Sequence, residues 1–155
     1  MSKKKNHLQL TTRGRYAVIA MIELAKHENG KPVPLSEIAH SGDISLSYME
    51  QLFSGLRKNK LVRSYRGPGG GYILAKTTQD IKISDILRSA EDSVPGKKAS
   101  NANNRQNKYA TALWASMGDI LEACMDRVTL EDVVNQNLSE HPAINSILTK
   151  LEQKA

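Results

Sequence analysis

Two adjoining stretches decide the fold: Ile44-Ser45-Leu46-Ser47-Tyr48-Met49-Glu50-Gln51-Leu52-Phe53-Ser54-Gly55-Leu56-Arg57-Lys58-Asn59, and the chain that follows it to Ala75. In the first, Met49, Leu52, Phe53 and Leu56 fall at i, i+3, i+4 and i+7. That spacing puts them on one face of a helix over Leu46–Asn59, which Ser45 or Ser47 is placed to cap. After Asn59 the period changes. Leu61-Val62-Arg63-Ser64-Tyr65 and Tyr72-Ile73-Leu74-Ala75 read as two short strands joined by Arg66-Gly67-Pro68-Gly69-Gly70-Gly71, a β-hairpin with a glycine-rich loop.

Upstream, apolar residues recurring at helical spacing over Arg13–Glu28 predict a helix ended by Asn29-Gly30. Pro32 and Pro34 mark a loop, a short helix fits Leu35–His40, and Ser41-Gly42-Asp43 signals a turn. Downstream, Ser84 is expected to cap a helix over Asp85–Glu91, with Ile83, Ile86, Leu87 and Ala90 inward. Residues 92–108 have almost no apolar content and read as a mobile loop. A long helix is expected over Tyr109–Arg127. Its Ala110, Trp114, Met117, Leu121, Cys124 and Val128 follow a heptad seam suited to a partner helix. Thr129 would cap a short helix, and Ala143–Lys154 would be the last. No internal repeat is present.

Helix, short helix, turn, helix and basic hairpin is the order of a winged helix-turn-helix. The expected fold is therefore mainly α with a small β-hairpin wing, plus a long C-terminal dimerisation helix. It divides into a flexible basic tail (1–9), a winged helix-turn-helix domain (10–91), a loop (92–108), a dimerisation helix with a short following helix (109–136) and a C-terminal helix (137–155).

The chain has 155 residues, of which 39% are hydrophobic and only 5% aromatic, so the core must come from aliphatic side chains. No apolar run approaches the ~20 residues of a membrane span, and no apolar segment follows the basic N-terminus as in a secretory signal. A single cysteine, Cys124, excludes an intramolecular disulfide and any several-thiolate metal site, which suits a reducing cytoplasm. Net charge is +6, unevenly spread: residues 1–66 carry 12 Lys/Arg against 5 Asp/Glu, and residues 67–155 carry 10 against 11. One basic face directed at a polyanion explains that asymmetry better than a solubilising tail, because Arg13, Arg15, Arg57, Lys58, Lys60, Arg63 and Arg66 lie among apolar-periodic segments.

The outward set on the Leu46–Asn59 helix can read a duplex. Gln pairs with adenine edges and Glu accepts from cytosine, while Arg57 and Lys58 near the far end suit phosphates. Arg66 at the base of the glycine loop suits a minor groove. Candidate DNA-contacting residues are Arg13, Arg15, Ser45, Ser47, Tyr48, Glu50, Gln51, Arg57, Lys58, Arg66, Gly67, Gly69, Gly70 and Tyr72. Competing roles stand beside these. Ser47 and Glu50 form a capping-box pattern, Arg57 and Lys58 suit a solvated face, and the glycines suit a plain turn. No Gly-Lys-Ser/Thr follows the glycines, so they are not a nucleotide loop. Trp114, Met117, Leu121, Cys124 and Val128 are the dimerisation candidates. Cys124 on that seam fits a small apolar residue better than a redox sensor. The four histidines are scattered, and no nucleophile–base set, paired carboxylates or cofactor fingerprint points to an enzyme.

Leu10-Thr11-Thr12-Arg13-Gly14-Arg15-Tyr16-Ala17-Val18, Pro32-Val33-Pro34-Leu35, Ile44–Phe53, Leu56-Arg57-Lys58-Asn59 and Arg66-Gly67-Pro68-Gly69-Gly70-Gly71-Tyr72 closely resemble the IscR family of dimeric bacterial winged-helix transcription regulators of iron–sulfur cluster biogenesis. The resemblance runs from about Leu10 to Val134. It implies a long helix crossing to a second subunit and a roughly palindromic double-stranded operator. It also implies base-edge roles for Ser45, Ser47, Glu50 and Gln51, and a wing role for Arg66. The Glu50 position is the one the family links to discrimination between two classes of DNA site. Many members hold a 2Fe–2S cluster with three cysteines and one histidine before the long helix. Here residues 91–113 contain neither Cys nor His, and Thr111 stands where the family places its histidine. Neither Asn, Ala nor Lys can replace thiolate or imidazole donors, so no family-type cluster and no other metal is expected. The expected protein is a cytoplasmic homodimeric regulator, repressor or activator, acting without that cluster. Two alternatives are a regulator of the same fold sensing another signal through a partner or small molecule, and a non-DNA interaction module. The basic balance of residues 1–66 argues against the second.

Overall fold

The computed structural model describes residues 8, 10–27, 29–92, 108–138 and 140–153, with the side chains of 108, 147, 148, 151 and 152 left aside. The expected tail 1–9, apart from Leu8, and the expected mobile loop 92–108, apart from its end residues, lie outside the described residues. The elements run α1 (Thr12–Lys26), α2 (Leu35–Ser41), α3 (Leu46–Lys58), β1 (Val62–Tyr65), β2 (Gly71–Leu74), a 3-10 turn (Thr78–Asp80), α4 (Ile83–Glu91), α5 (Lys108–Met125), α6 (Leu130–Val134) and α7 (Pro142–Glu152).

Each element in the first half follows its local chemistry. Thr11 caps α1 by accepting from the Gly14 amide at 3.0 Å, and its hydroxyl donates to Glu91 at 2.7 Å, tying the start of α1 to the end of α4. In the turn after α2, the Ile44 amide bonds back to Ala39 O and Asp43 N to His40 O, with Asp43 at φ 50. Those paired bonds around a left-handed residue make a Schellman closure. Ser45, not Ser47, caps α3, accepting from the Tyr48 amide at 3.4 Å. Ser47 and Glu50 therefore sit inside the helix, and the capping-box role considered for them falls away. A second Schellman closure ends α3 at Lys60 (φ 58) and turns the chain directly into β1.

The strands pair antiparallel, Val62 opposite Leu74 and Tyr65 opposite Gly71. The Gly70 amide bonds to Gly67 O at 2.9 Å, with Pro68 second and Gly69 third at φ 72, which is a type II turn. The wing is anchored at its other edge. Val33 N donates to Tyr72 O at 2.9 Å and Tyr72 N to Val33 O at 2.8 Å, so the loop before α2 adds a third rung.

The core lies between α1, α3, α4 and the hairpin root. Ala20, Met21, Met49, Leu52, Phe53, Leu56, Ile81 and Ile86 are fully buried. Burying each of the larger ones contributes on the order of 1.5–3 kcal/mol. The inward set expected on α4 is borne out, since Ile83, Ile86, Leu87 and Ala90 are all buried. Ser84 does not cap that helix. The helix begins two residues earlier than expected, at Ile83, with no side-chain cap, and the buried Ser84 hydroxyl instead donates to Asp126. Thr129 does cap α6, in a reciprocal box with Asp132.

Val128 is not a seam residue. It lies beyond the end of α5, is buried in the core, and its carbonyl accepts from the Ile83 amide. Leu121 and Met125 pack on the same core, whereas Tyr109, Leu113, Trp114, Met117 and Ile120 stand exposed, Trp114 at 62%. The expected heptad thus divides between two surfaces. Its C-terminal end docks on the body, and its N-terminal half joins Tyr109, Leu113 and Ile120 in a bare apolar face.

Candidate nucleic-acid interface

One face of α3 is core and the other is solvent. At 100° per residue, Ser47, Gln51, Ser54 and Lys58 centre the outer face, flanked by Glu50 and Arg57; all six are exposed. Glu50, Ser54 and Arg57 run in a line at i, i+4 and i+7, and Ser45 sits at the mouth of the helix as its cap. These are groups that can accept and donate at base edges, carried on a helix whose opposite side is locked by Met49, Leu52, Phe53 and Leu56.

The wing is placed by packing rather than by its own two strands, which alone would be marginal. The Tyr72 ring meets Phe53 edge-on with centroids 4.6 Å apart, and its backbone holds Val33. Of the candidates, Tyr72 is therefore half-buried and serves as the pin of the wing. Gly71 is the residue sequence reading passed over. A Cβ there would stand 2.2 Å from Val33 O, so only glycine permits the close pairing of the two backbones. Arg66, Gly67 and Gly69 are exposed at the tip and Gly70 is half-exposed. Arg66 and Gln51 both face solvent.

Arg13 and Arg15 lie in the first turn of α1. Arg15 is exposed; the Arg13 guanidinium lies 5.3 Å from the centre of the Tyr48 ring, and Tyr48 meets Tyr16 edge-on at 5.8 Å. This cation–π stack holds a cation beside the first turn of α3. Tyr48 is half-buried in that stack, with Tyr16 and Tyr48 both packed on the core edge.

The long helix is joined to this head by polar contacts. Arg88 on α4 donates to Glu122 at 2.6 Å on α5, to Asp126 at 3.3 Å just beyond the end of α5, and to Asp85 at 3.1 Å on its own helix. Burial pulls the Arg88 guanidinium down, but the Glu122 hydrogen bond and the three carboxylate charges outweigh it and hold it above its ordinary value. The Ser84 hydroxyl, with help from Arg88, holds the Asp126 carboxyl below its ordinary range. Leu8, Leu10, Trp114, Met117, Gly118 and Leu121 line an open apolar groove of about 620 Å³ beside the bare face of α5.

Donors for a metal are few. Cys124 is half-buried on α5. His27 donates its Nδ1–H to Glu23 O (2.8 Å) and faces Glu37; His141 faces Asp132 and accepts from the Ala143 amide. Among the described residues, no three His, Cys, Asp or Glu side chains converge on a metal position. A cluster of two irons takes four side-chain donors, and thiolates or imidazoles in that number do not exist on the loop before α5. No helix among the described residues is long and apolar enough to cross a membrane.

The fold and its outward-facing α3 define a winged helix-turn-helix transcription regulator. The profile of the Rrf2 family, described as an iron-dependent transcriptional regulator, matches residues 10–136. The HTH-type transcriptional regulator IscR of Photorhabdus laumondii is 41% identical over 131 residues, 83% of this chain and 80% of that one. IscR of Escherichia coli O1:K1 is 43% identical over the same length, with 83% and 81% covered. Among solved structures, the IscR of T. potens superposes with a TM-score of 0.65 at 37% identity, covering 84% of this chain and 88% of that one. CymR, the global cysteine regulator of B. subtilis, gives 0.64 at 36% identity, covering 83% and 98%. This chain belongs to the Rrf2 family of transcriptional regulators, is IscR-like, and is not an enzyme.

Proposed function

We propose that the chain acts in the cytoplasm as a homodimer that reads a roughly palindromic DNA operator through two α3 helices and two wings, without the family's 2Fe–2S cluster. The observation that carries this is the exposed row Ser47, Glu50 and Gln51 on α3, together with exposed Arg66 on a wing pinned to the same core. In this reading Ser45, Ser47, Glu50 and Gln51 work at base edges and Arg66 enters a minor groove. Arg13, Arg15, Arg57 and Lys58 hold phosphates, and the tip glycines Gly67, Gly69 and Gly70 lie along the backbone.

The dimer reading is supported by the bare face of α5, where five large apolar side chains stand exposed. A contiguous apolar patch of that kind on a helix marks an interaction surface. The cluster-free reading is supported by the missing donors before α5.

The test is titration of an IscR-type operator and a scrambled duplex at several salt concentrations. Operator-specific affinity that falls as salt rises is expected, because phosphate contacts release counterions. Arg66→Ala should cost about 1–3 kcal/mol on the operator if it makes a bidentate base contact. Glu50→Ala should change site preference more than overall affinity. Equal binding to both duplexes refutes sequence reading. Trp114→Glu with Met117→Glu should convert the dimer to monomer by light scattering. Anaerobic reconstitution that yields a stoichiometric cluster spectrum would refute the cluster-free reading.

A further inference from the structure

The end of α3 and the root of the hairpin enclose a groove of about 460 Å³ that the base-reading set does not use. Its lining is Arg57, Lys60, Val62, Arg63, Ala75 and Lys76. Four of these six side chains are cationic and exposed, and the groove lining includes no carboxylate. Asp85 shares a neighbouring groove with Lys76 but is engaged by Arg88 at 3.1 Å. Gathering like charges around a concavity raises its positive potential and favours an anion there.

The backbone contributes to the gathering. Lys60 occupies the left-handed position that closes α3 (φ 58), where glycine is the usual choice. A Lys there accepts strain on the order of 1–2 kcal/mol. The turn it makes brings Arg57, Lys60 and Arg63 to one rim.

We infer that this groove is a second anion site, holding backbone phosphates of the DNA that flanks the bases read by α3; the inference rests on the DNA reading proposed above. Arg57 lies seven residues beyond Glu50, about 10 Å along the helix. Arg63 lies three residues before Arg66, again about 10 Å along the strand. Arg57 and Arg63 are thus the cations of the groove nearest the proposed base-reading residues, within reach of the phosphates that border them. Lys60 and Lys76 lie further back. They meet phosphates only on a longer duplex that curves toward the protein, so the site should lengthen the footprint and favour bent DNA.

The experiment uses the full-length protein and two duplexes with the same operator, one ending at the operator and one extended by about one helical turn on each side. Affinity is measured across salt for the wild type and for the double variant Lys60→Asn, Lys76→Gln. Asn tolerates the left-handed position, and urea midpoints verify folding. The expected wild-type result is a salt slope steeper on the extended duplex by about 3–4, at ~0.9 per phosphate for the four lysines of a dimer. The variant should lose that increment and keep its affinity for the short duplex. A wild type that binds both duplexes specifically with the same slope overturns the site alone. So does a variant weakened equally on both duplexes, or one that keeps the full increment. A wild type with no operator preference overturns the DNA reading and the site together. Retained binding of an acidic peptide by the groove with no flank effect on DNA would assign it to a protein partner, against the inference.

Discussion

Gly71→Ala isolates what holds the wing. The new Cβ would lie 2.2 Å from Val33 O and 2.4 Å from Val33 C, both backbone atoms that cannot rotate aside. The Val33 segment must move off, which breaks the reciprocal bonds at 2.9 and 2.8 Å between Val33 and Tyr72. Two such bonds contribute about 2 kcal/mol net. Holding alanine at φ 155 adds about 1–2 kcal/mol of backbone strain. The stiffer unfolded chain returns about 0.4–1 kcal/mol. The expected loss is therefore about 3 kcal/mol. Gly69→Ala is the matched control: φ is 72 but nothing lies within 4 Å of its Cβ, so strain alone acts and about 1 kcal/mol is expected. Urea unfolding with an unchanged denaturant slope reads the difference. A Gly71→Ala protein within about 1 kcal/mol of Gly69→Ala would refute the view that the wing is fixed by close backbone approach to Val33.

Gln136 closes α6 in the left-handed region at φ 58, so Gln136→Gly should raise stability by about 0.5–1 kcal/mol; a lower urea midpoint would contradict it. Asp126, held down chiefly by the Ser84 hydroxyl, and Asp132, held down chiefly by the Thr129 amide, both lie below their ordinary value of 3.8. Depressed carboxylates contribute stability that is fully present above about pH 4–5 and is lost as pH falls below 3.8 through the folded-state values, so Asp132→Asn should flatten that acid limb in urea midpoints taken down to about pH 2.5. Arg88→Met should cost only about 1 kcal/mol after solvent screening, since that side chain is 40% exposed, and its effect should concentrate on α5: amide exchange there should accelerate while α1 stays protected. Uniform acceleration across both helices would show that Arg88 supports the whole core instead.

The parts of the fold that were legible are those where one physical signal acts alone. Met49, Leu52, Phe53 and Leu56 repeat at helical spacing and all are buried; Pro68 and Gly69 specify a turn and make one. Ser84 shows the opposite case. A serine before Asp85 reads as a cap, but its hydroxyl is claimed by Asp126, 42 residues away, and no local pattern records that. Val128 continues the heptad arithmetic from Cys124, yet the helix has already ended at Met125, and the residue belongs to the core beneath α4. Spacing cannot tell a partner's core from the chain's own. The same ambiguity hid Leu113 and Ile120, which fall outside a strict seam but complete the bare arc of α5. At the candidate interface, residue types and positions on α3 were readable. The role of Gly71 was not, because it depends on Val33, which is distant in sequence.

The distribution of charge carries an argument about assembly. The excess of positive charge lies within residues 1–66, whereas the remainder carries 10 Lys/Arg against 11 Asp/Glu. Two copies that met through their basic heads would repel each other and cover the surfaces proposed to read DNA. The bare face of α5 lies in the balanced part, and the carboxylates of Glu122 and Asp126 at its C-terminal end are already committed to Arg88. An apolar face with its nearby charges internally paired can be covered with little electrostatic penalty. In the proposed dimer that arrangement leaves both heads free. In that proposed dimer the ion pairs of Arg88 with Glu122 and Asp126 would tie each head to the shared helices. On the proposed reading, sequence preference rests with Glu50 and Gln51, so the contacts of Arg88 act on assembly without touching a base.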